Sequence, residues 1–181
     1  MYWPESGNQN TGETVNLALQ RARELGLKHL VVASNTGATA KKFVGNDLEL
    51  VCVTHHSGYV NPGENELKPD VGRRLQQQGV KILTTSHLLA GVDRSLRAKF
   101  QGIYPTEIIA MALRMMGQGL KVCVEISVMA LDAGLIPYGE EIVAVGGTST
   151  GADTACIIVP AYSNKFFDTR VKEIICMPRE K

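Results

Sequence analysis

Four short apolar runs, each closed by a loop of hydroxyl residues, constrain this chain more than any other feature. They occupy residues 30–33, 48–53, 80–83 and 141–145. Each is short and rich in β-branched residues, as in Leu30-Val31-Val32-Ala33, which is the pattern of a strand buried on both faces. Between them the spacing turns helical. Val15, Ala18, Leu19, Ala22 and Leu25 mark a helix over 13–25, with Thr11 placed to cap it and Gly26 to end it. Shorter helices are predicted over 40–44 and 70–78. Another, over 106–116, has Thr106 as its cap and Ile109, Ala112, Leu113 and Met116 on one face. Residues 121–135 carry both signals, and their length favours helix. Residues 88–102 are a mixed segment without clear breaks.

Strands alternating with helices imply an α/β fold, a three-layer sandwich around a mostly parallel sheet. Two further runs, 155–159 and 171–176, lie close together with no helical pattern between them. They predict antiparallel strands entering at a sheet edge. A length of 181 residues suits one domain spanning 1–181.

Composition removes several function classes. Nineteen basic and eighteen acidic residues leave a net charge of +1, so nucleic acid is not an expected partner. Arg73, Arg74, Arg94 and Arg97 read as solvated helix faces. No apolar run reaches the roughly 18 residues of a membrane span, and the N-terminus shows no secretory pattern. Cys52, Cys123, Cys156 and Cys176 sit singly in apolar runs, as buried reduced thiols of a cytoplasmic protein do.

The loops carry the functional signal. In an open α/β sheet, ligands bind beyond the carboxyl ends of the strands. Ser34-Asn35-Thr36-Gly37-Ala38-Thr39, Thr54-His55-His56-Ser57-Gly58, Thr84-Thr85-Ser86-His87 and Gly146-Gly147-Thr148-Ser149-Thr150-Gly151 follow the four strands. A parallel sheet brings them to one edge. In the first loop Gly37 permits close backbone approach, while hydroxyls, free N–H groups at a helix start and nearby Lys41 and Lys42 suit a phosphate. A capped βα turn asks for the same residue types, and both explanations stand. The second glycine cluster is either a ligand loop or a hairpin turn, with Asp153 holding a ribose-type hydroxyl or the turn itself. The first loop is neither a Walker loop nor a dinucleotide fingerprint.

Adjacent His55 and His56 point to opposite faces of a strand and are poorly placed to share a metal, so no metal is expected. His29 reads as a surface residue. His56, Ser57 and His87 are candidates for ligand contact or proton transfer. Glu125, in an apolar stretch, reads as a buried, paired carboxylate.

Glu13-Thr14-Val15-Asn16 on a helix, followed by residues 30–40 and a second strand, resembles the C-terminal α/β domain of pyruvate kinase. The likeness is clear over about residues 10–55 and weaker in the last strands. In that family the matching loop grips the phosphate of a sugar-phosphate activator in some members. The resemblance implies the fold and self-association, to which the Met and Ile residues of 106–116 also point. The catalytic barrel would need roughly 200 further residues, so pyruvate kinase activity is not expected. The better match is the stand-alone proteins similar to this domain.

The expected function is binding of a phosphate-bearing small molecule, flavin mononucleotide or a sugar phosphate, in a regulatory or sensor role. The expected site is Ser34, Asn35, Thr36, Gly37, Ala38, Thr39, His56, Ser57, Gly146, Gly147, Thr148 and Ser149. Tyr59 and Tyr138 are the aromatics available to a flavin ring. The alternative is an enzyme acting on a phosphorylated metabolite or using bound flavin.

Overall fold

A computed structural model describes residues 1–180. Its elements are β1 (Tyr2–Trp3), α1 (Thr11–Leu25), β2 (His29–Ala33), α2 (Ala38–Lys41), β3 (Glu49–Thr54), α3 (Pro69–Gln77) and β4 (Lys81–Thr84). They continue with α4 (Gly91–Phe100), α5 (Pro105–Arg114), α6 (Gln118–Asp132), β5 (Ile142–Gly146), β6 (Thr154–Val159) and β7 (Arg170–Pro178). The seven strands form one sheet in the order β1-β7-β6-β5-β2-β3-β4.

Helices cover both faces of the sheet. One core gathers Val15, Ala18, Leu19 and Ala22 of α1 and Leu75 of α3 against Leu30, Val32 and Val143. The other packs Cys123, Ile126 and Ala130 of α6 against Val31, Val51 and Ala144. Alternate residues of each strand thus serve opposite layers. This explains why the strand sequences are apolar throughout: β5 and β6 are buried at every position.

The predicted α/β sandwich is present, and the ambiguous 121–135 segment is the helix α6. Several local expectations are corrected. The reversed strand is β6, antiparallel to both β5 and β7, and it is interior. The sheet ends instead with β1, which pairs parallel to β7. A two-residue strand with one buried side chain has no periodicity to detect. A 3-10 stretch at Ser163–Asp168 joins β6 to β7, where no helical pattern was expected. Thr11 begins α1 rather than capping it, because its Oγ1 accepts the N–H of Ala152 at 3.0 Å. Thr106 lies inside the first turn of α5, where its N–H donates to Asp93. Helix α2 starts at Ala38 and lasts a single turn. His29 is not at the surface: its side chain is only 13% exposed, with Glu49 and Glu140 carboxylates 3.9 and 3.8 Å away.

All four cysteines are free and buried. Burial pushes the Cys52 thiol up to about 12 and raises Cys123 and Cys176 as well, so these thiols stay protonated. Among the described residues no helix is long and apolar enough to cross a membrane.

Candidate functional site

The carboxyl ends of β5, β2, β3 and β4 lie side by side, and their loops enclose a cleft of about 830 Å³. Parallel pairing of these four strands is what delivers their loops to one edge. Ser34, Asn35, Thr36, Ala38, Thr39, Gly147, Thr148 and Ser149 line the cleft. Gly37, Gly146, His56 and Ser57 do not.

The first loop has a definite internal order. Ser34 Oγ accepts the N–H groups of Thr39 (3.1 Å) and Ala40 (3.2 Å), fixing the start of α2. Those donors are therefore used within the protein, and one helical turn contributes little dipole. Among the described residues, the N–H groups of Asn35, Thr36 and Ala38 donate to no protein acceptor. Lys42 stands on the cleft wall; Lys41 does not. The loop thus offers three backbone donors, hydroxyls and one cation.

Gly37 makes the turn and does so facing away from the cleft. Its φ is +82°, and a Cβ there would sit 2.9 Å from Leu75 Cδ1 and 3.1 Å from Leu67 Cδ1. Glycine is required here by backbone conformation and by packing on α3. Gly146 likewise answers to packing, since a Cβ would lie 2.7 Å from the Gly119 carbonyl oxygen.

The second glycine loop is both a β5–β6 hairpin connection and a cleft wall. Asp153, fully buried, holds it. Its Oδ2 accepts the N–H groups of Thr148 and Gly7, each at 3.1 Å, and its Oδ1 accepts the Thr154 hydroxyl. Asp153 is therefore the turn's internal acceptor. Ser149, at the loop tip, holds a left-handed φ of +63°.

At the β3 end the cleft presents His55. Asn35 Oδ1 accepts the His55 N–H at 3.2 Å, which turns Asn35 Nδ2 toward His55 Nε2 at 3.1 Å. An amide nitrogen only donates, so Nε2 is the acceptor and the ring proton sits on Nδ1. Nδ1 in turn faces Glu66 Oε2 at 2.6 Å. His56 instead turns its Nδ1 to the Ser57 carbonyl, 2.8 Å away.

His55 stacks on Tyr59 with centroids 3.7 Å apart, and the Arg94 guanidinium lies 5.7 Å from the Tyr59 centroid. Arg94 is thus drawn to the Tyr59 ring instead of being simply solvated, whereas Arg74 and Arg97 pair with Asp70 and Glu107. Tyr138 stacks on Tyr162 and is no part of the cleft.

His87 meets His55 edge-on at 5.2 Å. Burial lowers its pKa from the ordinary value, with the Glu125 charge opposing that shift. Glu125, 3% exposed, pairs with Lys121 and accepts the Leu89 N–H at 2.7 Å. It is the buried, paired carboxylate that its apolar surroundings predict.

Sequence patterns missed Asn8, His55, Glu66 and Gln118 as cleft residues. Strand alternation alone could have separated His55 from His56. Glu66 comes from an irregular connection and carries no such signal.

A family described as "Pyruvate kinase, alpha/beta domain" matches residues 13–158. Among solved structures, the chain is similar to Cryptosporidium parvum pyruvate kinase in complex with ADP. The identity is 18% and the TM-score 0.41, over 80% of this chain and 22% of that one. A second structure of Cryptosporidium parvum pyruvate kinase gives 19% identity and a TM-score of 0.40, over 80% and 21%. NAD+ synthetase from Burkholderia pseudomallei gives 15% and 0.35, over 84% and 69%. The chain spans about a fifth of the pyruvate kinases' length.

Proposed function

Because the chain belongs to the pyruvate kinase alpha/beta domain family, we propose that its cleft binds a phosphate-bearing small molecule, flavin mononucleotide or a sugar phosphate, in a regulatory or sensor role. One observation carries this reading: the N–H groups of Asn35, Thr36 and Ala38 have no protein acceptor and stand beside Lys42 on the same wall. Backbone donors without a protein partner, together with one cation, suit an anion in a protein of near-zero net charge. A cleft of about 830 Å³ leaves room for an organic moiety beyond the phosphate. Tyr59 is already engaged by His55 and Arg94, so a flavin ring would lie elsewhere in the cleft.

Calorimetric titration with flavin mononucleotide and with a hexose phosphate tests this. Binding of either, weakened in Lys42→Ala and Thr36→Val, is expected. Wild-type protein that binds neither contradicts it.

His87 favours a second reading, an enzyme acting on a phosphorylated metabolite or using bound flavin. An imidazole held neutral on a cleft wall can accept a proton from a bound ligand. Turnover of a bound phosphate ester that disappears in His87→Gln, with binding retained, would select it. A cytoplasmic setting fits the four reduced thiols. Self-association fits the outer stripe of α4 and α5, where Val92, Phe100, Ile108 and Met111 are all more than half exposed.

A further inference from the structure

The sheet's carboxyl edge does not end at the second glycine loop. Beyond it, where β1 and β7 finish and α5 hands over to α6, lies a second groove of about 310 Å³. Its apolar lining is Met115, Met116, Met177 and Pro178. Arg114, Arg179, Glu180 and Ser6 are among its polar members. Gln118 and Thr148 line this groove and the larger cleft alike, so the two share a wall and meet there. Arg114 Nε donates to Gln118 Oε1 at 2.7 Å, and the Thr148 N–H donates to buried Asp153. Both shared residues are thus held in place.

The larger cleft is mixed in character: Ala33, Val53, Val122 and Ile126 line it together with the hydroxyls of the 34–39 loop, the imidazoles and Glu66, whereas the groove concentrates its methionines in one place. Between the backbone donors of Asn35, Thr36 and Ala38 and the groove, the residues that border both cavities are Thr148, a hydroxyl, and Gln118, an amide.

We propose that this groove receives an apolar part of the same ligand, which makes that ligand a phosphate ester with a polar linker and an apolar end. The proposal rests on the phosphate reading above. Methionines suit the role, because unbranched thioethers conform to flat or flexible apolar groups and make favourable contacts with aromatic ring edges. A flavin, with its methylated benzenoid edge, belongs to this class; a hexose phosphate does not.

The test is calorimetry with ethyl, butyl and octyl phosphate below their micellar concentrations, on wild type and on the Met116→Gln/Met177→Gln double variant. Met116 is half exposed and Met177 partly so, so neither change empties the core. Affinity of the wild type is expected to rise about 2- to 4-fold per added methylene until the groove is filled. The double variant should bind ethyl phosphate normally and lose most of that rise. Equal affinity along the series overturns the proposal while leaving the phosphate reading intact. A rise that survives in the double variant also overturns it. Failure of all three esters to bind removes the phosphate reading and the proposal together. Should the wild type be a dimer that the double variant dissolves, with no chain-length effect, a second copy covers the groove and the proposal falls.

Discussion

Asn35 grips His55 at two points: its Oδ1 accepts the His55 backbone N–H at 3.2 Å, and its Nδ2 lies 3.1 Å from the ring Nε2. Together with Glu66 at the other ring nitrogen, this fixes the orientation of the His55 ring and ties the 34–39 loop to the end of β3. Asn35→Asp puts an oxygen in place of Nδ2 and a negative charge in the cleft. Titration of flavin mononucleotide or a hexose phosphate into this variant should show binding weakened at least about tenfold, or ~1.4 kcal/mol.

Gly37 and Gly45 share left-handed φ values, +82° and +85°, but differ in surroundings. A Cβ at Gly37 meets Leu75 and Leu67, whereas one at Gly45 meets nothing within 4 Å. Urea unfolding should therefore separate the two alanine variants. Gly45→Ala is expected to cost about 1 kcal/mol for conformation alone. Gly37→Ala should cost roughly 1–3 kcal/mol more, because the core must also shift.

His87 gives the protein an acid-sensitive component of stability. Burial lowers its folded-state pKa below 6.5, its ordinary value, with Glu125 partly offsetting the shift. Between those two values the unfolded chain binds more protons than the folded one, so stability falls as the pH drops. The loss begins as pH passes below about 6.5 and is complete beneath the folded-state value. Thermal melts of wild type and His87→Gln should run parallel above neutral pH. Below it, the wild type should lose stability faster than the variant.

The outer face of α5 carries Ile108 and Met111, 59% and 61% exposed. If that face joins two copies, Met111→Lys should convert an oligomer to monomer in sedimentation velocity without lowering the melting temperature of the monomer fold. A wild type that sediments as a monomer at all concentrations rejects self-association.

The central sheet was legible because strands buried on both faces are apolar at every position, as in Leu30-Val31-Val32-Ala33. The gathering of the loops at one edge followed from parallel pairing; their order along it did not. The far side was not legible. Tyr2–Trp3 is too short for a pattern, and its place in the sheet depends on pairing with Met177 and Pro178, remote in sequence. Within the cleft, hydroxyl and glycine content marked the 34–39 and 146–151 loops but could not say which way each group faces. Gly37 proved to face α3, and Asp153 to hold its own hairpin. The His55–Glu66 contact joins a strand end to an irregular connection, and only the fold brings those two together.

Phosphate binding at the 34–39 loop is best tested by the amide spectrum of isotope-labelled protein, followed as flavin mononucleotide and then methyl phosphate are titrated in. The N–H signals of Asn35, Thr36 and Ala38 are expected to move for both ligands, with Thr148 and Gln118 moving for the flavin nucleotide. Signals at 34–39 that stay fixed at saturating concentrations of both would contradict it.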